Sequence, residues 1–111
     1  MTIITPDNIL RDANRPDGIT MNTAFAPAVT GKNVSMGSAA FPPGARVPVE
    51  GSAAHAGDEY SYIISGSLCC VCNGQEFTVS AGDFAFIPAG MAHYSYNPTD
   101  REAEVIWVLA Q

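Results

Sequence analysis

The sequence predicts a single-domain, all-β protein built as a sandwich or a barrel. The chain has 111 residues, which is enough for one hydrophobic core and leaves no room for a second. Clusters of turn-forming residues recur about every 8 to 12 residues, with strand-length runs between them. No window of about 12 residues or more has a helical pattern. Together these observations favour many short antiparallel strands.

Each predicted strand is a short run between two turn clusters, and several are rich in β-branched or aromatic residues. In chain order the runs are residues 33–41, 60–65, 68–72, 76–80, 84–88, 93–97 and 104–110. Helix is expected for at most a turn or two. The expected position is near residues 5–12, where Thr5 or Asp7 is a candidate N-cap.

The acidic composition argues against several classes of partner. The formal charge is −6, and no basic stripe is present to bind nucleic acid or an anionic membrane surface. No run approaches the length of about 18 apolar residues that a membrane span needs, and the N-terminus lacks the basic region of a secretory signal. We therefore expect a cytoplasmic protein with no nucleic-acid and no membrane partner.

The three cysteines lie within four consecutive positions, at Cys69, Cys70 and Cys72. They are odd in number and too close together to link distant parts of the chain, which fits a reducing compartment. Because they fall inside an apolar strand, we expect them to act as small packing residues. A site for a soft metal is the alternative.

The segment "HAGDEYSYIISG", residues 55–66, contains a possible metal site. His55 and Glu59 would be about 13 Å apart on one straight strand, too far to share an ion. A bend at Gly57 and Asp58 would bring both side chains inward. With His93, the only other histidine, they would form a two-His, one-Glu set for a divalent first-row metal. The alternative is that the histidines are structural and that Glu59 is solvated.

The segment around His93 resembles the second motif of the cupin family. That motif is glycine, five residues, Pro-x-Gly, two residues, histidine, three residues and asparagine. Gly82, Pro88, Gly90, His93 and Asn97 match every position.

The first cupin motif is matched in part. It usually reads His-x-His, three or four residues, glutamate, six residues and glycine. His55 takes the place of the second histidine, Glu59 and Gly66 fit, and Ala53 stands at the first histidine. The resemblance spans about residues 34–109, so residues 1–111 form one cupin domain in which 1–33 are an N-terminal strand and loop segment.

The resemblance implies a single antiparallel jelly-roll β-barrel of six to eight strands. It also implies that His55, Glu59 and His93 hold a divalent first-row transition metal such as Fe, Mn, Ni or Zn, with Ala53 removing one usual ligand. Glu50 is a less favoured substitute ligand. Arg46 is the best candidate to hold an anionic substrate, although a surface role is the more ordinary reading.

Two functions follow from the resemblance. The first is a metal-dependent enzyme of the oxygenase, isomerase or lyase type acting on a small polar metabolite. Its catalytic side chains are unknown, and metal-bound water is the favoured base. The alternative is a non-catalytic cupin that binds a small molecule at a degenerate metal site. A homodimer is expected, paired through the N-terminal segment and outward tyrosines. A scaffolding role that uses the tyrosines and the strand 105–110 is less favoured.

Overall fold

The computed structural model describes all 111 residues, and its strands form two antiparallel sheets. About half of the residues are in strands and 4% are in helix. A six-stranded sheet has the order β1-β2-β3-β10-β5-β8, and a four-stranded sheet has the order β4-β9-β6-β7. The elements are β1 (Leu10–Asp12), β2 (Thr20–Phe25), α1 (Pro27–Thr30), β3 (Val34–Phe41), β4 (Arg46–Val47), β5 (Asp58–Ser65), β6 (Ser67–Cys72), β7 (Gln75–Ser80), β8 (Phe84–Ile87), β9 (His93–Tyr96) and β10 (Ala103–Ala110).

The hydrophobic core joins the two sheets. Ile63 of β5, Val105 of β10 and Phe41 of β3 belong to one core cluster in the larger sheet. Leu68 of β6 packs into the same cluster from the smaller sheet. Ile63 lies four residues beyond Glu59 along β5, about 13 Å at 3.3 Å per residue. The core therefore lies beyond Glu59, towards the other end of β5.

Gly37 allows β3 to pack closely against its neighbours. A Cβ at this position would overlap the carbonyl oxygen of Asn22 and lie 2.7 Å from Cζ2 of Trp107. The Trp107 ring thus lies over the one residue of β3 without a side chain.

Asn97 fixes the turn after β9 and is fully buried. Its side-chain amide donates to the carbonyl oxygens of Phe41 and Arg101, at 2.8 and 2.6 Å. Its Oδ1 accepts from the backbone and the hydroxyl of Thr99. The last residue of the second motif is therefore a structural residue.

The all-β prediction is confirmed, with three differences in detail. The expected helix near residues 5–12 is wrong: Thr5 starts a turn in which its carbonyl accepts from Asn8 and Ile9, and the short helix is α1. The chain bends at Ala56 and Gly57, whereas Asp58 already begins β5. Ten strands are present, more than the six to eight expected, because short strands such as β1 and β4 add to the sheets.

The strand β10 lies in the middle of the larger sheet, between β3 and β5. Both of its edges are paired, so it forms part of the wall and offers no free edge for scaffolding. No helix of the structure has the length and apolar character needed to cross a membrane.

Candidate metal centre

His93 begins β9 and is buried, with 7% of its surface exposed. Its backbone exchanges two hydrogen bonds with Ala53, at 2.9 and 3.0 Å. Its Nδ1 lies 2.9 Å from the carbonyl oxygen of Met91, which makes Nδ1 the protonated nitrogen. Nε2 then keeps a lone pair, and the ring is held in the orientation that metal-binding histidines need.

His55 is held against the loop between β8 and β9. Its carbonyl oxygen accepts a 2.9 Å hydrogen bond from the backbone N–H of Gly90. Its ring centroid lies 5.0 Å from that of His93, and its Nε2 lies 3.2 Å from Oε1 of Glu59. The two motifs are therefore joined by their backbones as well as by their side chains.

Glu59 is positioned by the start of β5. Next to it, Oδ1 of Asp58 accepts a 2.8 Å hydrogen bond from the backbone N–H of Ala89. Before it, Gly57 lies so close to the C-terminal strand that a Cβ would come within 2.5 Å of the carbonyl oxygen of Ala110. This close approach forms the bend that places His55 beside Glu59, although they are four residues apart.

The structure brings the three sequence-predicted ligands together. One donor atom each from His55, Glu59 and His93 can be chosen so that all lie within 4.8 Å of one another. Two imidazole nitrogens and one carboxylate oxygen are a donor set that suits a divalent first-row metal. The residues present therefore fit such an ion. Glu50 is exposed and outside the group.

A cavity of about 750 Å³ adjoins the three residues and lies between the two sheets. Of the 28 residues that line it, 19 are hydrophobic. Its polar groups include Ser61 and Ser95, which the strand register places on the same faces as Glu59 and His93. Glu59 is the only carboxylate residue in the lining.

Arg15, and not Arg46, is the only arginine or lysine that lines the cavity. Its guanidinium is paired with Asp17 at 2.6 Å, so much of its charge is already balanced. Arg46 donates to the carbonyl oxygens of Pro48 and Gly51 and stacks 4.0 Å from the Tyr94 ring centroid. These contacts outside the cavity lining favour the surface role of Arg46 over the binding of an anionic substrate.

Two further features of the cavity were not apparent from the sequence. Trp107 lines it, and its buried indole Nε1–H has no hydrogen-bond partner. Cys70 and Cys72 also line it, whereas Cys69 does not. Burial raises the pKa of the Cys70 thiol to about 11; Cys72 raises this pKa further, whereas the hydrogen bond with Ser95 lowers it in part. Alternation along β6 and β10 indicates which side chains share a face. It does not say which face lines the cavity unless the direction of one residue is already known.

The chain matches the family profile described as "Cupin domain" over residues 37–109. The sequence has no significant match among the curated proteins.

Three solved structures illustrate the similarity. A predicted oxalate decarboxylase from Thermotoga maritima has a TM-score of 0.81 and 21% identity, covering 98% of each chain. A polyketide cyclase from Streptomyces resistomycificus has a TM-score of 0.81 and 17% identity, covering 99% of this chain and 79% of that one. A sugar phosphate isomerase of the cupin superfamily from Silicibacter pomeroyi has a TM-score of 0.77 and 23% identity, covering 99% and 76%. At these identities the likeness shows a shared fold, and the family profile reaches from β3 to β10, so the chain belongs to the cupin domain family.

Proposed function

We propose that this chain is a metal-dependent cupin enzyme in which His55, Glu59 and His93 hold a divalent first-row transition metal, one of Fe, Mn, Ni or Zn. In this proposal the two sheets are the halves of one jelly-roll barrel, and a small molecule reacts in the cavity between them. The convergence of the three donor atoms within 4.8 Å beside this cavity carries the proposal.

The cavity also favours a particular kind of substrate. Its volume of about 750 Å³ lies in the range of small-molecule sites, about 300–1,000 Å³. Because most lining residues are hydrophobic, we replace the expected small polar metabolite with a molecule that has an apolar body and an oxygen group at one end. The apolar body would lie along the walls, with the oxygen group directed to the His55–Glu59–His93 end.

A bound divalent metal would supply Lewis acidity towards a ligand oxygen. The chain's own residues would position the reactants: Met91 holds the His93 ring, and the hydroxyls of Ser61 and Ser95 are available to bind polar substrate atoms. Apolar walls would exclude water from the rest of the substrate. The cavity has no carboxylate other than Glu59. We therefore favour isomerase, lyase or oxygenase chemistry that needs no separate carboxylate base.

A second candidate function is small-molecule binding without turnover. It is favoured by Ala53, which pairs with His93 across the ladder where the family's motif has a further histidine. With three ligands instead of four, the protein would hold metal more weakly. The fold is shared by many functions and does not choose between turnover and binding.

Elemental analysis of protein purified without chelator tests the metal site. We expect at least one equivalent of a first-row metal per chain, and the loss of one equivalent in His93→Ala and Glu59→Gln. Glu76→Gln is the matched control, because Glu76 is exposed on β7 and does not belong to the group. A metal content equal to that of the wild type in both site variants would contradict the proposal.

Turnover assays on the metal-loaded protein separate the two candidate functions. The substrate panel should pair apolar bodies with carboxylate, enol or hydroxyl groups. Metal-dependent turnover supports the enzyme, whereas saturable binding of the same compounds without conversion supports the binding module.

We further propose that the protein works as a homodimer in the cytoplasm. All three cysteines are free, as a reducing compartment would keep them. The larger sheet also has exposed aromatic side chains that a second copy would cover.

A further inference from the structure

The strand β6 presents two of its three thiols to the cavity. Side chains alternate along a strand, so Cys70 and Cys72 share one face and Cys69 lies on the other. Cys70 and Cys72 line the cavity, and their sulfur atoms are 3.7 Å apart. Both thiols are free, and neither belongs to the His55–Glu59–His93 group.

The separation of the two sulfurs fits a shared metal ion. Two thiolates about 2.3 Å from one tetrahedral ion are about 3.8 Å apart. A disulfide would require the sulfurs to approach to about 2.05 Å and the Cβ atoms to about 3.8 Å. Residues two apart on one strand face are about 6.6 Å apart, so the backbone opposes a disulfide but permits a bridging ion.

The surroundings of the two thiols are also suited to a cation. In the ladder between β6 and β9, Cys72 pairs with His93 and Cys70 pairs with Ser95. The cavity gives a small ion access to both sulfurs.

We propose that Cys70 and Cys72 form a second metal site, distinct from the three-residue group, that takes a thiophilic d¹⁰ cation such as Zn²⁺ or Cu⁺. Binding releases the two thiol protons to solvent and leaves both thiolates on the ion. Soft thiolates select such ions, whereas imidazole and carboxylate accept a wider range of divalent metals. The chain would then hold one hard or borderline ion and one soft ion in the same cavity.

Cadmium titration of the reduced, metal-free protein tests this site, because a thiolate-to-cadmium ultraviolet band appears only when sulfur binds. We expect the band to saturate at one equivalent and to be lost in the double variant Cys70→Ser/Cys72→Ser. It should be retained in Cys69→Ser, the matched control. It should also be retained in His55→Ala, which disables the three-residue group, so failure of the proposed function and failure of this site are distinguishable.

Thiol alkylation of the wild-type protein gives a test that does not depend on folding of the variants. With Zn²⁺ present, mass spectrometry should show Cys70 and Cys72 protected together, with no change at Cys69. The proposal is overturned if the cadmium band is absent or survives in the double variant, or if Zn²⁺ leaves Cys70 and Cys72 unprotected. Loss of all cadmium binding in His55→Ala would likewise assign the ion to the other group.

Discussion

At the scale of single residues, Ala53 is the position that most directly tests the metal centre. Ala53 and His93 form a hydrogen-bonded pair across two antiparallel segments, so their side chains leave the same face about 5.5 Å apart at Cα. The structure therefore places the Cβ of Ala53 on the cavity side, as its presence in the lining also shows.

We expect Ala53→His to add a fourth ligand and to slow metal loss to a chelator by about tenfold or more. Any native turnover should fall or change, because a coordination position becomes occupied. Ala54→His is the control, since Ala54 is exposed and faces the opposite side. A chromogenic chelator measures the rate at which each variant releases its metal. Equal release rates in Ala53→His and Ala54→His would contradict the prediction.

At the scale of elements, the metal centre depends on how the loop between β8 and β9 is tied to β5. The carboxylate of Asp58 accepts from Ala89, and the backbone of Gly90 donates to His55. These hydrogen bonds hold the second motif against the first, and none of them uses a metal-binding side-chain atom.

Asp58→Ala should lower metal affinity by about tenfold although all three ligands remain, because the loop that carries His93 loses an anchor. Asp58→Asn keeps an oxygen acceptor and should lower affinity less. Asp83→Ala serves as the control: it removes an equivalent bond to the backbone of Ser80, outside the close-donor group. Competitive metal titration would refute the prediction if Asp58→Ala and Asp83→Ala had equal affinity.

The loop between β1 and β2 contains an ion pair that makes stability depend on pH. Burial by itself raises the pKa of the Asp17 carboxyl, but hydrogen bonds from Arg15 and the Ile19 amide outweigh burial and lower that pKa overall. A carboxylate with a lowered pKa stabilises the fold above its ordinary value of about 3.9 and loses that contribution as pH falls through the lowered value.

Asp17→Asn should therefore reduce the free energy of unfolding at pH 7 by about 1–3 kcal/mol, and the difference from wild type should shrink as the pH falls below the ordinary carboxyl value of about 3.9. Urea unfolding at several pH values measures this. Asp100→Asn provides a control, because Asp100 is exposed in a turn. A difference that stayed constant down to the lowest pH would show that the effect is not ionic.

At the scale of the whole molecule, the larger sheet exposes apolar and aromatic side chains at its β5–β8 edge. Phe84 is 82% exposed, Phe86 is 54% exposed and Tyr60 is 47% exposed. The rings of Tyr60 and Phe86 lie 5.0 Å apart, and those of Tyr62 and Phe84 lie 4.7 Å apart. None of these side chains is charged at neutral pH, so two copies of a chain with net charge −6 could meet here without direct repulsion.

We expect a symmetric homodimer that buries these aromatic rings, and a shift to monomer in Phe84→Glu/Phe86→Glu. Val29→Glu is the control, because Val29 is an exposed apolar residue on α1 outside the sheet. Sedimentation equilibrium at about tens of micromolar measures the assembly. Wild type sedimenting only as a monomer at that concentration would refute the dimer.

The fold class and the identity of the candidate ligands were determined by the sequence. Turn clusters at regular intervals exclude long helices, and the spacing of Gly82, Pro88, Gly90, His93 and Asn97 singles out one histidine. Side-chain facing along one strand is a local property, so alternation alone puts Ser61 on the face of Glu59 and Ser95 on the face of His93, as the strand register has them.

Only the tertiary structure decided what lies opposite those residues. The meeting of His55 with Glu59 depends on Gly57 fitting under Ala110, a contact between positions more than 50 residues apart. Long-range contacts also decide that Arg15, and not Arg46, lines the cavity. They likewise pair Cys72 with His93 and Cys70 with Ser95. Local pattern fixes the alternation of a strand, but its partners and register are set by long-range pairing, which one sequence does not specify.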